Sequence, residues 1–147
     1  MDRKEFFSTF GFGLATVCVG SCLASCGKSS PESPSTGGGS GGTPPSSVNF
    51  TVDLNNEIKN IGEQLVKSGV IVVRLAAGAA TTSFTAVQVS CTHQGTGINF
   101  SPSQGNFICP NHGSQFSPSG AVLNGPASSN LKKYNIAITG NAMTVTA

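Results

Sequence analysis

The chain is 147 residues long, and only 14 of them carry a formal charge, 10% against roughly 25% in an average soluble domain. That length has room for one domain of ordinary size. A net charge of +2, no Trp and no basic tract exclude a protein that holds nucleic acid by neutralising its phosphates. Five cysteines, at 18, 22, 26, 91 and 109, form an odd set that cannot close into disulfides alone, and they fall into two separate groups.

In chain order, Arg3 and Lys4 precede an uncharged run from Phe6 to Gly27. A short basic region before an apolar one is the layout of an export signal. Gly11, Gly13 and Gly20 weaken the run as a helix, yet its 22 residues match roughly 30 Å of hydrocarbon, so a retained signal anchor is the alternative. Leu23-Ala24-Ser25-Cys26 resembles the lipobox of bacterial lipoproteins, and Val19-Gly20-Ser21-Cys22 is an earlier, weaker match. The lipobox resemblance implies a signal segment over 1–26, cleaved before Cys26, with lipid on the Cys26 thiol. Asp2-Arg3-Lys4-Glu5-Phe6-Phe7 is similar to a twin-arginine export signal with Lys for the second Arg, a route used by folded, cofactor-loaded proteins. General secretion is the other route. Either one implies a bacterial protein anchored at a membrane and facing the periplasm or the cell exterior.

A linker is expected over 27–47. From Lys28 to Ser47, 18 of the twenty residues are Ser, Gly, Pro or Thr, a composition that cannot offset its own ordering entropy. Its root-mean-square span is about 25 Å, and fully stretched it reaches about 70 Å.

The remaining residues, 48–147, are enough for one modest core. Val48 to Leu54 alternates apolar and polar, Val70 to Leu75 is β-branched and nearly continuous, and Phe84 to Val89 alternates again. These patterns predict a half-buried strand, a strand buried on both faces and a second half-buried strand. Ile58 to Val66 has charges and a Gln that suit a short helix, but Gly62 and the Lys67-Ser68-Gly69 turn favour an edge hairpin strand. Tyr134 to Thr139 and Ala142 to Thr146 read as a hairpin across Gly140-Asn141. With no sustained helical period, the expected class is all-β and antiparallel.

Two short loops carry the chemistry: Cys91-Thr92-His93-Gln94-Gly95 and Cys109-Pro110-Asn111-His112-Gly113-Ser114. His93 and His112 are the only histidines in the chain, and each sits beside one of the two cysteines of this region. Zinc takes two Cys and two His tetrahedrally, although its structural sites pair like ligands in sequence. A Rieske [2Fe–2S] centre needs two cysteines on one iron and two histidines on the other, so each loop must send its Cys and its His opposite ways. A mixed pair on each loop suits that demand. Gly95, Gly97 and Gly113 beside the ligands permit tight turns and close backbone approach.

The two loops resemble those of the Rieske iron–sulfur family, whose motifs read C-T-H-x-G and C-P-x-H-G-S. Gly125-Pro126-Ala127, followed by Leu131, resembles the proline loop that covers the cluster in Rieske subunits of cytochrome bc complexes. The resemblance implies a Rieske-like antiparallel β-sandwich with a cluster-binding part at one tip, about residues 90–131, and one [2Fe–2S] cluster. It places Cys91 and Cys109 on the inner iron and His93 and His112 on the outer iron. Gly95, Gly113, Ser114, Phe116 and Pro126 are implied to surround the cluster. The chain departs from the respiratory pattern in three places. Thr96 and Asn111 stand where those subunits have a bracing disulfide, and Phe116 stands where they have a Tyr that donates to a cysteine sulfur. Losing a donor to sulfur predicts a potential below that of quinol-oxidising relatives and above that of Rieske ferredoxins serving dioxygenases.

The function so implied is one-electron transfer between a donor and an acceptor at a membrane, with a cytochrome or a membrane oxidoreductase as partner. The alternatives are an iron–sulfur subunit of a multisubunit oxidoreductase (quinol–cytochrome c reductase or arsenite-oxidase-like) and a zinc or cluster-free interaction module. No Ser-His-Asp set is present, and the only carboxylates after the linker, Asp53, Glu57 and Glu63, lie well before the ligand loops, so no substrate-converting site is expected. From Leu75 to Leu131, 57 consecutive residues carry no charge, which favours apolar docking over electrostatic steering.

Overall fold

The computed structural model describes residues 43–147. The expected signal segment 1–26, the lipobox with Cys26 and residues 27–42 of the expected linker lie outside the described residues.

The described residues form ten strands: β1 (Asn49–Asp53), β2 (Gln64–Lys67), β3 (Val70–Arg74), β4 (Phe84–Gln88), β5 (Asn99–Ser101), β6 (Asn106–Ile108), β7 (Gln115–Phe116), β8 (Val122–Asn124), β9 (Asn135–Thr139) and β10 (Ala142–Thr146). One 3-10 turn, Thr81–Ser83, precedes β4. The strands make three sheets, ordered β1-β10-β9, β2-β3-β4 and β5-β6-β7-β8, and every pairing is antiparallel.

The middle sheet, β2-β3-β4, is the layer on which the other two depend. Val70, Ile71, Val72 and Val73 of β3 are all fully buried. Because side chains alternate across a strand, Val70 and Val72 join a core with β1 and β10, whereas Ile71 and Val73 join a core with Cys91, Cys109, Phe107 and Phe116. The continuous β-branched run is therefore the signature of a strand between two cores. Each such side chain contributes about 1.5–3 kcal/mol of burial.

Three expectations change in detail. Strand structure in the 58–66 segment starts only at Gln64, because a carboxylate-nucleated turn comes first. The Asp53 carboxylate accepts from the Asn55 backbone N–H at 3.0 Å and from the Asn56 side chain, and the Asn55 N–H holds its carboxyl below the usual range. Ile58 is then driven into the core with φ +42°, its carbonyl accepting from Arg74 Nε at 2.8 Å. β4 does not alternate in burial, since its polar members are buried too and are satisfied there. Thr85 Oγ1 donates to the Pro118 carbonyl at 2.6 Å, and Gln88 donates to the Ser90 carbonyl while accepting from the Lys132 N–H. Finally, the last residues of the expected linker contact the domain. The Pro45 carbonyl accepts from Tyr134 Oη at 3.0 Å and from Lys132 Nζ at 3.2 Å.

The β9–β10 hairpin turns at Gly140-Asn141 as expected. Gly120 is the most constrained turn near the ligand loops. Its φ is +88°, and a Cβ there would lie 2.8 Å from the Leu131 carbonyl oxygen, whose residue is buried beside the cysteines. Gly105 has a similar φ of +68° and open space around it. Ala at Gly105 should therefore cost about 1–2 kcal/mol of left-handed strain, and Gly120→Ala about 1–3 kcal/mol more, for overpacking. Thermal unfolding of the two variants checks this, and equal melting temperatures would refute the close approach.

Candidate metal centre

The two ligand loops are built from the same turn. Loop one follows β4 and is closed by a bridge between Ser90 and Gly97. In it, Cys91 N–H donates to the Thr96 carbonyl and Gly95 N–H to the Cys91 carbonyl, both at 2.8 Å. Loop two joins β6 to β7. There, Cys109 N–H donates to the Ser114 carbonyl at 2.8 Å and Gly113 N–H to the Cys109 carbonyl at 3.0 Å. Gly95 and Gly113 have φ of +73° and +74°, which an L-residue adopts only with strain. A Cβ on Gly113 or Gly97 would meet no protein atom within 4 Å, so conformation, not crowding by the chain, selects glycine at 113.

The repeated turn sorts the four donors by type. Cys91 and Cys109 are each 2% exposed and belong to one buried cluster, whereas His93 and His112 are both exposed. The imidazole ring centroids stand 5.0 Å apart, edge to face. Among the described residues, no three Cys, His, Asp or Glu side chains gather around one point as a single tetrahedral ion requires. A thiol pair inside and an imidazole pair outside is the donor set of a two-iron centre. The residues present therefore fit a [2Fe–2S] cluster better than zinc.

The surroundings of the thiols are largely apolar. Burial pushes the Cys91 thiol up, while the His93 backbone N–H and the Ser114 hydroxyl favour its thiolate. Ser114 is fully buried, and its Oγ also accepts from the Ala127 N–H at 3.0 Å. That bond ties loop two to the segment Gly125–Leu131, which carries the exposed Pro126 after a cis peptide bond. Thr92 Oγ1 donates to the Ser129 carbonyl at 2.6 Å and ties loop one to the same segment. Leu131 N–H donates to the Gly120 carbonyl at 2.8 Å, and Asn130 Oδ1 accepts from the Val122 N–H at 2.9 Å. The third motif thus joins the two loops.

At the brace positions, Thr96 closes its own loop through its carbonyl, and Asn111 Nδ2 reaches Gln94 Oε1 of the other loop at 3.5 Å, a marginal contact. Phe116 is fully buried with Phe107, and its ring offers no donor. Sequence reasoning did not single out Thr92, Ala127 or Ser129 as structural ties. Two of the bonds run to backbone groups, which leave no mark on residue type.

Ser114→Ala should leave the buried Ala127 N–H without an acceptor. The expected cost is about 1–3 kcal/mol, with faster amide exchange across 127–131. Unchanged exchange at Ala127 would show that the tie is unimportant.

Residues 48–135 match the family model of the Rieske [2Fe-2S] domain. The cytochrome b6-f complex iron-sulfur subunit 1 of Trichormus variabilis is 30% identical over 139 residues, covering 89% of this chain and 76% of the relative. The cytochrome b6-f complex iron-sulfur subunit 2 of Synechocystis sp. is 29% identical over 154 residues, covering 95% and 80%. Among solved structures, a chain of a hyperthermophilic respiratory Complex III shares the fold with a TM-score of 0.52 at 24% identity, covering 63% of this chain and 71% of that one. Both ligand loops and the segment that ties them lie within the matched span, and the chain belongs to the Rieske [2Fe-2S] domain family, with one [2Fe–2S] cluster as its cofactor.

Proposed function

We propose that Cys91 and Cys109 hold the inner iron, that His93 and His112 hold the outer iron, and that the protein passes electrons between a donor and an acceptor at a membrane. Single-electron transfer is the chemistry the bound cluster supplies. The observation that carries the assignment is the pair of exposed imidazoles 5.0 Å apart in front of a pair of buried thiols. The thiols and their apolar surroundings exclude water from the inner side. The Ser114 hydroxyl donates toward the Cys91 sulfur and favours the more negative, reduced state. Each exposed imidazole has two ring nitrogens, so one stays free to meet a partner or carry a proton.

The docking face is neutral. The cations bordering the uncharged span are bonded to carbonyls outside the ligand loops: Arg74 donates to those of Ile58 and Gly78, and Lys132 to that of Pro45. Leu123, 58% exposed, stands just before the Gly125-Pro126 pair and adds apolar surface. These features support a cytochrome or a membrane oxidoreductase that docks by shape. Lipid on Cys26, with residues 27–44 as the leash, is the proposed attachment. A second reading, an iron–sulfur subunit of a multisubunit oxidoreductase, is favoured by relatives named as subunits of the cytochrome b6-f complex. The missing brace between positions 96 and 111 separates this chain from the quinol-oxidising pattern.

Iron and sulfide in equal amounts, with the reduced-state EPR spectrum, test the site. Cys109→Ser should abolish both, and zinc in place of iron would overturn the assignment. Phe116→Tyr should raise the potential by about 20–65 mV, the equivalent of one hydrogen bond of about 0.5–1.5 kcal/mol. Protein-film voltammetry that finds no upward shift would sink the hydrogen-bond argument.

A further inference from the structure

Both ligand loops, the sheet β5-β6-β7-β8 and the segment Gly125–Leu131 lie in one stretch of chain, entered after β4 and left before β9. Gln88, the last residue of β4, is bonded at both crossings. Its Nε2 donates to the Ser90 carbonyl at 2.7 Å, and its Oε1 accepts from the Lys132 N–H at 2.8 Å. Its own backbone N–H donates to the Lys132 carbonyl at 2.9 Å. Gln88 is only 3% exposed, so its partners depend on it rather than on water.

The two backbone groups held by the carboxamide adjoin the metal centre. The Ser90 carbonyl and the Cys91 N–H are opposite sides of one planar peptide group, and the Cys91 N–H donates to the Thr96 carbonyl at 2.8 Å. Gln88 and Thr96 thus pin that peptide from both sides, which fixes the backbone carrying the Cys91 thiol. The Lys132 N–H belongs to the peptide after Leu131, whose side chain is buried in one cluster with both cysteines. Only a side chain with one donor and one acceptor at this reach serves both groups. A Glu carboxylate lacks the donor, a Met lacks both, and an Asn is one methylene shorter.

We propose that Gln88 is a positioning residue for the metal centre: its carboxamide sets loop one, with Cys91 and His93, against the end of the segment that joins the two loops. The inference rests on the ligand assignment above. Gln88 touches no ligand side chain and acts through the backbone. The Thr92 bond to Ser129 at 2.6 Å and the Gln88 bond to Lys132 close a ring that runs from Gln88 through loop one to Ser129 and back. With the carboxamide gone, the ring opens at the root of loop one. Groups standing behind metal ligands orient them in this way and tune the metal.

The full chain carrying Gln88→Met is compared with Thr85→Val. Thr85 is 2% exposed on the same strand, and it donates to the Pro118 carbonyl, outside both ligand loops. Both variants should melt below the wild type. Only Gln88→Met should speed amide exchange at Cys91, by about 2–10-fold for the loss of one hydrogen bond. Only Gln88→Met should shift and broaden the g values of the reduced-state EPR spectrum, because loop one then samples more than one position. If Gln88→Met does not fold, Gln88→Asn, which keeps a carboxamide that cannot span both peptides, gives the same two readouts. Cys91 exchange and g values equal to those of Thr85→Val would overturn the proposal. A wild-type chain loaded with iron and sulfide that gives no [2Fe–2S] spectrum would instead refute the ligand assignment. Exchange at Cys91 would then still decide the role of Gln88, with an unchanged rate overturning it.

Discussion

Four consecutive side chains of β3 face alternately into two cores, and the rest of the domain is arranged around that fact. Val70 and Val72 secure the sheet made by both ends of the domain, β1-β10-β9. Ile71 and Val73 form the floor beneath the cysteines. A polar residue at any of these positions would open one core or the other, because neither face of the strand meets water. The outer layers are each weak alone: one has three strands, the other four strands of two or three residues. Sheets this short are marginal without a layer to pack on.

From that floor the ligand loops rise as two copies of one turn. Nothing covalent joins them. Their relative position is fixed by Thr92 and Ser114, which bond Ser129 and Ala127 of the proline-bearing segment, and by Leu131, which returns that segment to the core against Gly120. Three hydrogen bonds and a buried leucine thus take the place that a disulfide occupies in the respiratory pattern. Hydrogen bonds of this kind contribute about 0.5–1.5 kcal/mol each net of water, so the loops are held firmly only while all of them persist.

Much of this was legible from residue types and spacing. The strands β1, β3 and the β9–β10 hairpin follow from alternation, β-branching and a Gly-Asn turn, all of which act locally. The ligand loops follow from Cys and His being scarce and adjacent. Burial of Thr85 and Gln88 was not legible, because their partners, the Pro118 and Ser90 carbonyls and the Lys132 N–H, are backbone groups brought near by tertiary folding. The turn at 54–62 was missed for a related reason. Its signal is the Asp53 carboxylate bonded to Asn55 and Asn56, which lies ahead of the segment whose Lys67-Ser68-Gly69 turn suggested a strand. The contact of Pro45 with Tyr134 and Lys132 lies in a segment whose composition reads as wholly unstructured, and two distant donors override that composition.

The neutral docking face and the proposed leash make sense only together. Without electrostatic steering, association proceeds at about 10⁵–10⁶ M⁻¹s⁻¹. Free in solution at micromolar concentration, such a protein would meet its partner about once per second or less. The proposed leash, with the span of about 25 Å expected of its length and composition, would hold it at an effective concentration in the millimolar range and raise the encounter rate to about 10²–10³ per second. That matches the turnover of ordinary enzymes, roughly 1–10³ per second. Charge at the tip would add speed that such a leash would already supply, and it would slow release after each electron. An uncharged tip, with Arg74 and Lys132 bonded to carbonyls outside the ligand loops, suits a head that must dock and leave repeatedly.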